Sequence, residues 1–288
     1  MTRRKLIVSG ATGLIGSALV SALAHDWEVH AIARRAGSQA NVVWHELDLA
    51  KPCDFGGLPS SPEAVVYLAQ SEYFREFPGH AVDIFQVNTV NLLNALDYAR
   101  SRGCRVFVYG SSGGVYGTGE TSMSEQVEIA ARGDLGFYLS SKLCSEIVAH
   151  NYARILDVAI LRYFFVYGPG QRASMLVPRL IQRVRDGAPV DLQGEGGIRI
   201  NPVHVSDAAA ATARALSLTG SRTINVGGSE VLALREICEM IGEAVGRKPV
   251  FRVDRAAAPG HLTGDIRLMR EVLVAPTVRF ADGLKSML

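Results

Sequence analysis

The sequence predicts an α/β fold, a doubly wound parallel sheet followed by a smaller C-terminal α+β cap. Three observations carry this. Short, near-continuous apolar strands alternate with helical stretches through the first half of the chain. A glycine-rich stretch, "VSGATGLIGSALVSALAH" at 8–25, joins the first strand to the first helix. After about residue 166 the alternation loosens into short elements set between turns.

The elements follow in order. Strands are predicted at Leu6–Val8, Glu28–Ala33, Val42–Leu47, Ala64–Leu68, Val106–Tyr109 and Val158–Leu161, each a short apolar run. Helices are predicted between them. In Leu14–Ala24, residues Leu14, Ile15, Ala18, Leu19, Ala22 and Leu23 recur at helical spacing. Val82–Arg102 and Phe137–Ile155 are the two long ones. Tyr167-Gly168-Pro169-Gly170 is a turn, and Met175–Asp186 reads as a helix after it. We therefore expect a dinucleotide-binding domain over 1–165 and a cap mainly over 166–288. Segments at about 200–228, within Val203–Leu218 and Thr223–Val226, return to the main sheet.

Composition narrows the function. The chain has 288 residues, 48% hydrophobic and 20% charged, an ordinary globular balance. A net charge of +2 argues against a nucleic-acid binder. The apolar runs are too short for a membrane span, and Arg3-Arg4-Lys5 leads straight into a strand rather than a signal sequence. Cys53, Cys104, Cys144 and Cys238 have no C-x-x-C spacing and read as reduced thiols of a cytoplasmic protein. The seven histidines are scattered without metal-ligand spacing, so no metal is expected.

The glycine turn suits a phosphate. Glycine tolerates positive φ and lets backbone approach a ligand closely. The helix behind it offers unpaired N–H groups and a positive dipole end. Its spacing is G-x-x-G-x-x-G rather than the commoner G-x-G-x-x-G, and alone it is a weak signal. A second pattern strengthens it. "YLSSK" puts Tyr138 and Lys142 at i and i+4 on one helix face, and "YGSSGGVYG" puts Ser111 and Ser112 just past a strand end.

Together these stretches resemble the extended branch of the short-chain dehydrogenase/reductase superfamily, the nucleotide-sugar epimerase/dehydratase/reductase family. "GATGLIG", Asp48-Leu49, "YLAQ", Val87-Asn88, "SSGGVYG", "YLSSK", "LRYFFVYGPG", "RINPVHVSD" and "INVGG" occur in the family's order over nearly the whole chain. The resemblance implies a Rossmann-like sheet, a nicotinamide cofactor and a Tyr/Lys/Ser site. Tyr138 then exchanges a proton with the reacting oxygen, Ser112 holds that oxygen, and Lys142 bonds the nicotinamide ribose and lowers the tyrosine pKa. It assigns the cofactor to Gly10, Thr12, Gly13, Leu14, Ile15, Gly16, Arg34, Arg35, Asp48, Leu49, Leu68, Ala69, Gln70 and Asn88, besides Tyr138 and Lys142. It assigns the substrate to Ser112, Phe165, Arg172, Val177, Arg199 and Asn225. Many relatives carry Asn where this chain has Phe165.

Cofactor choice turns on the end of the second strand, where an acidic residue would bond the ribose 2′-hydroxyl. Here Ala33 is followed by Arg34 and Arg35, whose forked donors suit a 2′-phosphate, so NADPH is expected over NAD. Dehydratases of the family place an Asp-Glu pair after the catalytic hydroxyl residue; this chain has Gly113-Gly114. The expected reaction is therefore reduction of a keto group on a nucleotide sugar, such as a nucleoside-diphosphate 4-keto-6-deoxyhexose. Epimerisation with bound NAD(P), or reduction of a small non-sugar carbonyl compound, are the alternatives. The resemblance also implies a homodimer through the two long helices.

Overall fold

The computed structural model describes residues 3–129 and 135–288. The strands are β1 (Arg4–Ser9), β2 (Trp27–Ala33), β3 (Val42–Glu46), β4 (Ala64–Tyr67), β5 (Val106–Ser112), β6 (Asp157–Tyr163), β7 (Val190–Gln193), β8 (Arg199–Ile200), β9 (Arg222–Val226), β10 (Leu232–Ala233) and β11 (Phe251–Asp254). The helices are α1 (Leu14–Leu23), α2 (Ala81–Phe85), α3 (Asn91–Ser101), α4 (Phe137–Tyr152), α5 (Leu176–Asp186), α6 (Val205–Ala215), α7 (Leu234–Val245), α8 (Arg267–Val272) and α9 (Phe280–Lys285).

Seven strands form the main sheet in the order β3-β2-β1-β4-β5-β6-β9. Pairings β2–β3, β1–β2, β1–β4 and β4–β5 are parallel, with Val8 opposite Ala31 and Val66. This is the Rossmann-like order, in which the direction of winding reverses between β1 and β4 and ligands sit beyond the carboxyl ends of the strands there. Four of the predicted strands run longer than their apolar cores, β1 taking in Arg4, Lys5 and Ser9 and β5 running on to Ser112, while β3 and β4 each stop one residue short, at Glu46 and Tyr67. Strand hydrogen bonds are backbone bonds, so a ladder continues past the last apolar side chain.

The helix predicted over Val82–Arg102 is interrupted. Between α2 and α3 lies a π-helical turn, Gln86–Val90. Such a turn inserts one residue into the helix and often marks a functional position. Here it carries the fully buried Asn88.

The chain divides into two compact units. The first comprises 1–115, 128–162 and 209–224; the second comprises 116–127, 163–208 and 225–288. The core of the first is built from Ile7, Val65, Tyr67, Leu92, Leu96, Phe107 and Ile160, on the sheet and the helices covering it. In the second, α5 buries Val177, Leu180, Ile181 and Val184, and α7 buries Ile237, Cys238 and Ile241. Both sets follow the i, i+3, i+4 spacing of an amphipathic helix. Tyr167 and Phe280 complete that core. Two short sheets flank it, β8 against β10 antiparallel and β7 against β11 parallel.

Candidate active site

The glycine turn sits at the β1/β4 reversal. Gly10 has φ +70°, and a Cβ built on it would meet Leu68 carbonyl carbon and Ala69 nitrogen, both at 2.8 Å. A Cβ on Gly16 would lie 2.2 Å from the Gly10 carbonyl oxygen. Gly13 caps α1 without a side-chain hydrogen bond, and its N–H closes the turn onto Gly10 O at 2.9 Å. Thr12 is exposed, and Leu14 and Ile15 are half-buried. Backbone thus packs too closely at Gly10 and Gly16 for a side chain, right beside the first N–H groups of α1, a combination that fits a diphosphate.

Ala33, buried, ends β2, and Arg34 and Arg35 follow exposed. Arg34 forms an ion pair with Glu72, while the Arg35 guanidinium has no ion-pair partner among the described residues. The nearest acid across the ladder, Glu46 opposite Ala33, accepts the Ala36 N–H at 3.0 Å. Asp48 accepts the Ala50 N–H and lies 3.7 Å from Lys51; Leu49 is buried, and its carbonyl accepts from Asn91 at 2.8 Å. Leu68, Ala69 and Gln70 follow β4. Asn88 accepts the Ser71 N–H at 3.1 Å and donates to Ser141 Oγ at 2.9 Å. It ties the chain after β4 to α4, on which Tyr138 and Lys142 stand.

Tyr138 donates its hydroxyl to Gln70 Oε1 at 2.8 Å, and its ring packs on Phe74 at 5.1 Å. Lys142 is buried; its Nζ donates to the Gly110 carbonyl at 2.8 Å and lies 6.0 Å from the Tyr138 ring. Ser112 Oγ accepts the Gly114 N–H at 3.1 Å. Burial pushes the Tyr138 phenol above its usual range; hydrogen bonding with Ser112 and the charge of Arg75 draw it back down. Burial pulls the Lys142 ammonium down to about 7, opposed by the Glu146 carboxylate. The family resemblance assigns Lys142 the task of lowering the tyrosine pKa. In the structure Ser112 and Arg75 act on it, and Lys142 turns to the Gly110 carbonyl because a buried ammonium needs an acceptor.

The predicted substrate residues lie in the second unit, Ser112 apart. Phe165 holds φ +44°, a left-handed backbone that asparagine adopts more readily than phenylalanine, and its ring packs against the apolar core. Arg172 and Arg199 are exposed, with the Arg199 backbone bonded to His261 Nδ1 and Leu262 N. Two assignments meet a different environment. The Val177 side chain is 2% exposed inside the core of this unit, because position 177 falls on the apolar stripe of α5. Asn225 is fully buried, donating to the Met123 and Asp265 carbonyls and accepting the Tyr116 hydroxyl at 2.9 Å. Its amide is occupied by protein groups.

One cluster on the helix and strands around Lys142 has no role in the family assignment: the buried side chains Ser111, Glu146 and Arg162. An acid one turn beyond Lys142, and an arginine closing the apolar run 158–161, were the signals for it.

The family model of the NAD dependent epimerase/dehydratase family matches residues 6–227. The chain belongs to this family. It is thereby an enzyme of the extended short-chain dehydrogenase/reductase type, with a nicotinamide cofactor. A dTDP-glucose 4,6-dehydratase of Streptomyces griseus is 29% identical over 98% of this chain and 92% of its own length. A dTDP-4-dehydro-6-deoxy-D-allose reductase of a Streptomyces species is 27% identical, covering 94% and 90%. The structure of a UDP-glucuronic acid 4-epimerase from Bacillus cereus, in complex with UDP-glucuronic acid and NAD, is 25% identical. It superimposes with a TM-score of 0.85 over 98% of this chain and 97% of that one. No helix among the described residues is long and apolar enough to cross a membrane.

Proposed function

We propose that this enzyme reduces the keto group of a nucleotide sugar, such as a nucleoside-diphosphate 4-keto-6-deoxyhexose, with NADPH. The observation that carries this reading is the carboxyl end of β2. It offers Ala33 where a carboxylate would bond a ribose 2′-hydroxyl, and the two arginines after it suit a 2′-phosphate. Side-by-side titration with NADPH and NADH tests it, and tighter NADH binding would sink it.

The residues divide the work. Gly10, Gly13 and Gly16 hold the diphosphate at the start of α1, with Thr12, Leu14 and Ile15 around it. Asp48 and Leu49 face the adenine, Leu68, Ala69 and Gln70 line the cofactor, and Asn88 steadies the backbone beside it. When bound, the nicotinamide supplies the hydride. Tyr138 delivers the proton to the reacting oxygen, which Ser112 holds in place. Lys142 holds the ribose hydroxyls. Arg172 and Arg199 meet the substrate diphosphate, and Phe165 shapes the sugar side of the cap. Val177 and Asn225 serve the packing of the second unit. Dehydration at neighbouring carbons needs a further acid and base, and Gly113-Gly114 supply neither.

Epimerisation with retained NAD is the second reading. The ion pair between Arg34 and Glu72 favours it, because it ties up one of the two arginines available to a 2′-phosphate. Thermal stabilisation by UDP, dTDP, GDP or CDP separates both from a small-carbonyl reductase, since binding to the native state raises apparent stability. The same reading includes a homodimer in the cytoplasm. Val82, Phe85, Leu93 and Ile147, on α2, α3 and α4, leave 83%, 39%, 42% and 55% of their surface exposed, and the four cysteines are free thiols. A monomeric mass by light scattering at micromolar concentration would refute the dimer.

A further inference from the structure

At the end of β5, two successive residues serve α4 in different ways. The Gly110 carbonyl accepts Lys142 Nζ at 2.8 Å. The Ser111 hydroxyl donates to Glu146 Oε1 at 2.5 Å. Glu146 stands one helical turn beyond Lys142 and is 1% exposed. From β6, Arg162 closes the cluster, its Nε donating to Glu146 Oε1 at 3.0 Å and its terminal nitrogen to Oε2 at 2.5 Å. A carboxylate this deep in a protein is tolerated only when paired and hydrogen-bonded. Both of its oxygens are occupied. Two phenols also lie against Lys142: Tyr109 of β5, whose ring is 5.1 Å from Nζ, and Tyr138 of α4. While protonated they give an ammonium no opposing charge.

We propose that Glu146, clamped by Arg162 and Ser111, is a positioning residue that favours the ammonium form of Lys142 against its burial and fixes α4 against the end of β5. The inference rests on the reading of Lys142 as the ribose-holding lysine. A charged ammonium donates three hydrogen bonds: one goes to Gly110, and two remain for hydroxyls of a ligand. A neutral amine loses a donor and its electrostatic pull. Burial alone drives Lys142 toward neutrality, and Glu146 opposes it.

The test reads the lysine directly. The chain has five lysines, Lys5, Lys51, Lys142, Lys248 and Lys285, so ¹³Cε-lysine NMR resolves them, and Lys142→Met assigns the signal. In the wild type the Lys142 midpoint is expected near neutrality. In Glu146→Gln, which keeps the shape and removes the charge, the midpoint is expected to fall by roughly one pH unit. Glu146→Asp keeps the charge and should restore most of the shift. If Glu146→Gln does not fold, Arg162→Gln carries the test: it removes the cation that offsets the Glu146 charge, and the Lys142 midpoint is expected to rise. An unchanged midpoint in the folded variant overturns the proposal. No turnover is needed, so the outcomes separate. A shifted midpoint in a protein inert toward keto-sugars contradicts the proposed function alone. A fixed midpoint in an active reductase contradicts this inference alone.

Discussion

Tyr138 donates its hydroxyl hydrogen to Gln70 Oε1 at 2.8 Å. A carbonyl acceptor favours the neutral phenol, and burial pushes the same way. The neutral phenol is the form that delivers a proton to a carbonyl oxygen during reduction. Tyr138→Phe keeps the ring against Phe74 and removes that proton. Turnover should fall on the order of 10²-fold or more, with cofactor affinity within a few-fold of wild type. Steady-state kinetics and a cofactor titration check both halves.

Gly16→Ala should open the cofactor turn. Its Cβ would sit 2.2 Å from the Gly10 carbonyl oxygen, and every atom it meets belongs to the backbone, with no flexible side chain to yield. We expect a stability loss of about 1–3 kcal/mol and a weaker nicotinamide cofactor. Urea unfolding and cofactor titration measure them. Unchanged cofactor affinity would show that the turn does not hold the diphosphate.

Arg34 and Arg35 should govern cofactor choice. Arg35→Ala should weaken NADPH at least several-fold and leave NADH nearly unchanged. Glu72→Gln releases Arg34 from its ion pair and should tighten NADPH selectively. Equal changes for both cofactors in a binding titration would remove the arginines from this role.

Asn225→Ala should act on stability rather than on substrate affinity. The substitution removes three hydrogen bonds, from the Tyr116 hydroxyl and to the Met123 and Asp265 carbonyls, and losing the buried amide that joins them costs about 1–3 kcal/mol. The melting temperature should drop while KM of the folded enzyme stays within a few-fold. A large rise in KM with an unchanged melting temperature would return Asn225 to the substrate site.

Lys142 also makes stability depend on pH. Its folded pKa, about 7, lies below the unfolded value of 10.5. Between these values the unfolded chain binds the extra proton, so this group makes stability rise as pH increases from 7. The buried thiols of Cys104 and Cys238, pushed up to about 11 and about 12, work against it once unfolded thiols ionise above pH of about 8.5. Comparing the wild type with Lys142→Met by denaturant unfolding between pH 7 and 8.5 isolates the lysine. The variant should lose the upward slope, and equal slopes would contradict the burial-driven shift.

The parts of the molecule legible in its sequence are those set by local rules. Apolar runs mark six of the seven strands of the main sheet, because both faces of a parallel sheet are covered, while β9 is legible only as a segment returning to it. The glycines at 10, 13 and 16 were legible because close backbone approach admits little else. Tyr138 and Lys142 share a helix face by spacing alone. What periodicity does not carry is tertiary. The π-helical turn at Gln86–Val90 preserves the apolar stripe that suggested one unbroken helix. Val177 matched a substrate position by motif, but the stripe of α5 directs it into the core. Asn225 has the chemistry of a ligand contact and the neighbours of a structural amide. Glu146 and Arg162 lie 16 residues apart on different elements, and only the packing of α4 on the sheet makes them a pair.

The central claim is net reduction of a sugar ketone. The direct measurement incubates the enzyme with a nucleoside-diphosphate 4-keto-6-deoxyhexose and NADPH, following absorbance of the reduced cofactor and the sugar product together. The expected result is stoichiometric NADPH oxidation matched by formation of the 4-hydroxy sugar. Isomerised sugar with no net consumption of cofactor would contradict it and assign the enzyme to epimerisation.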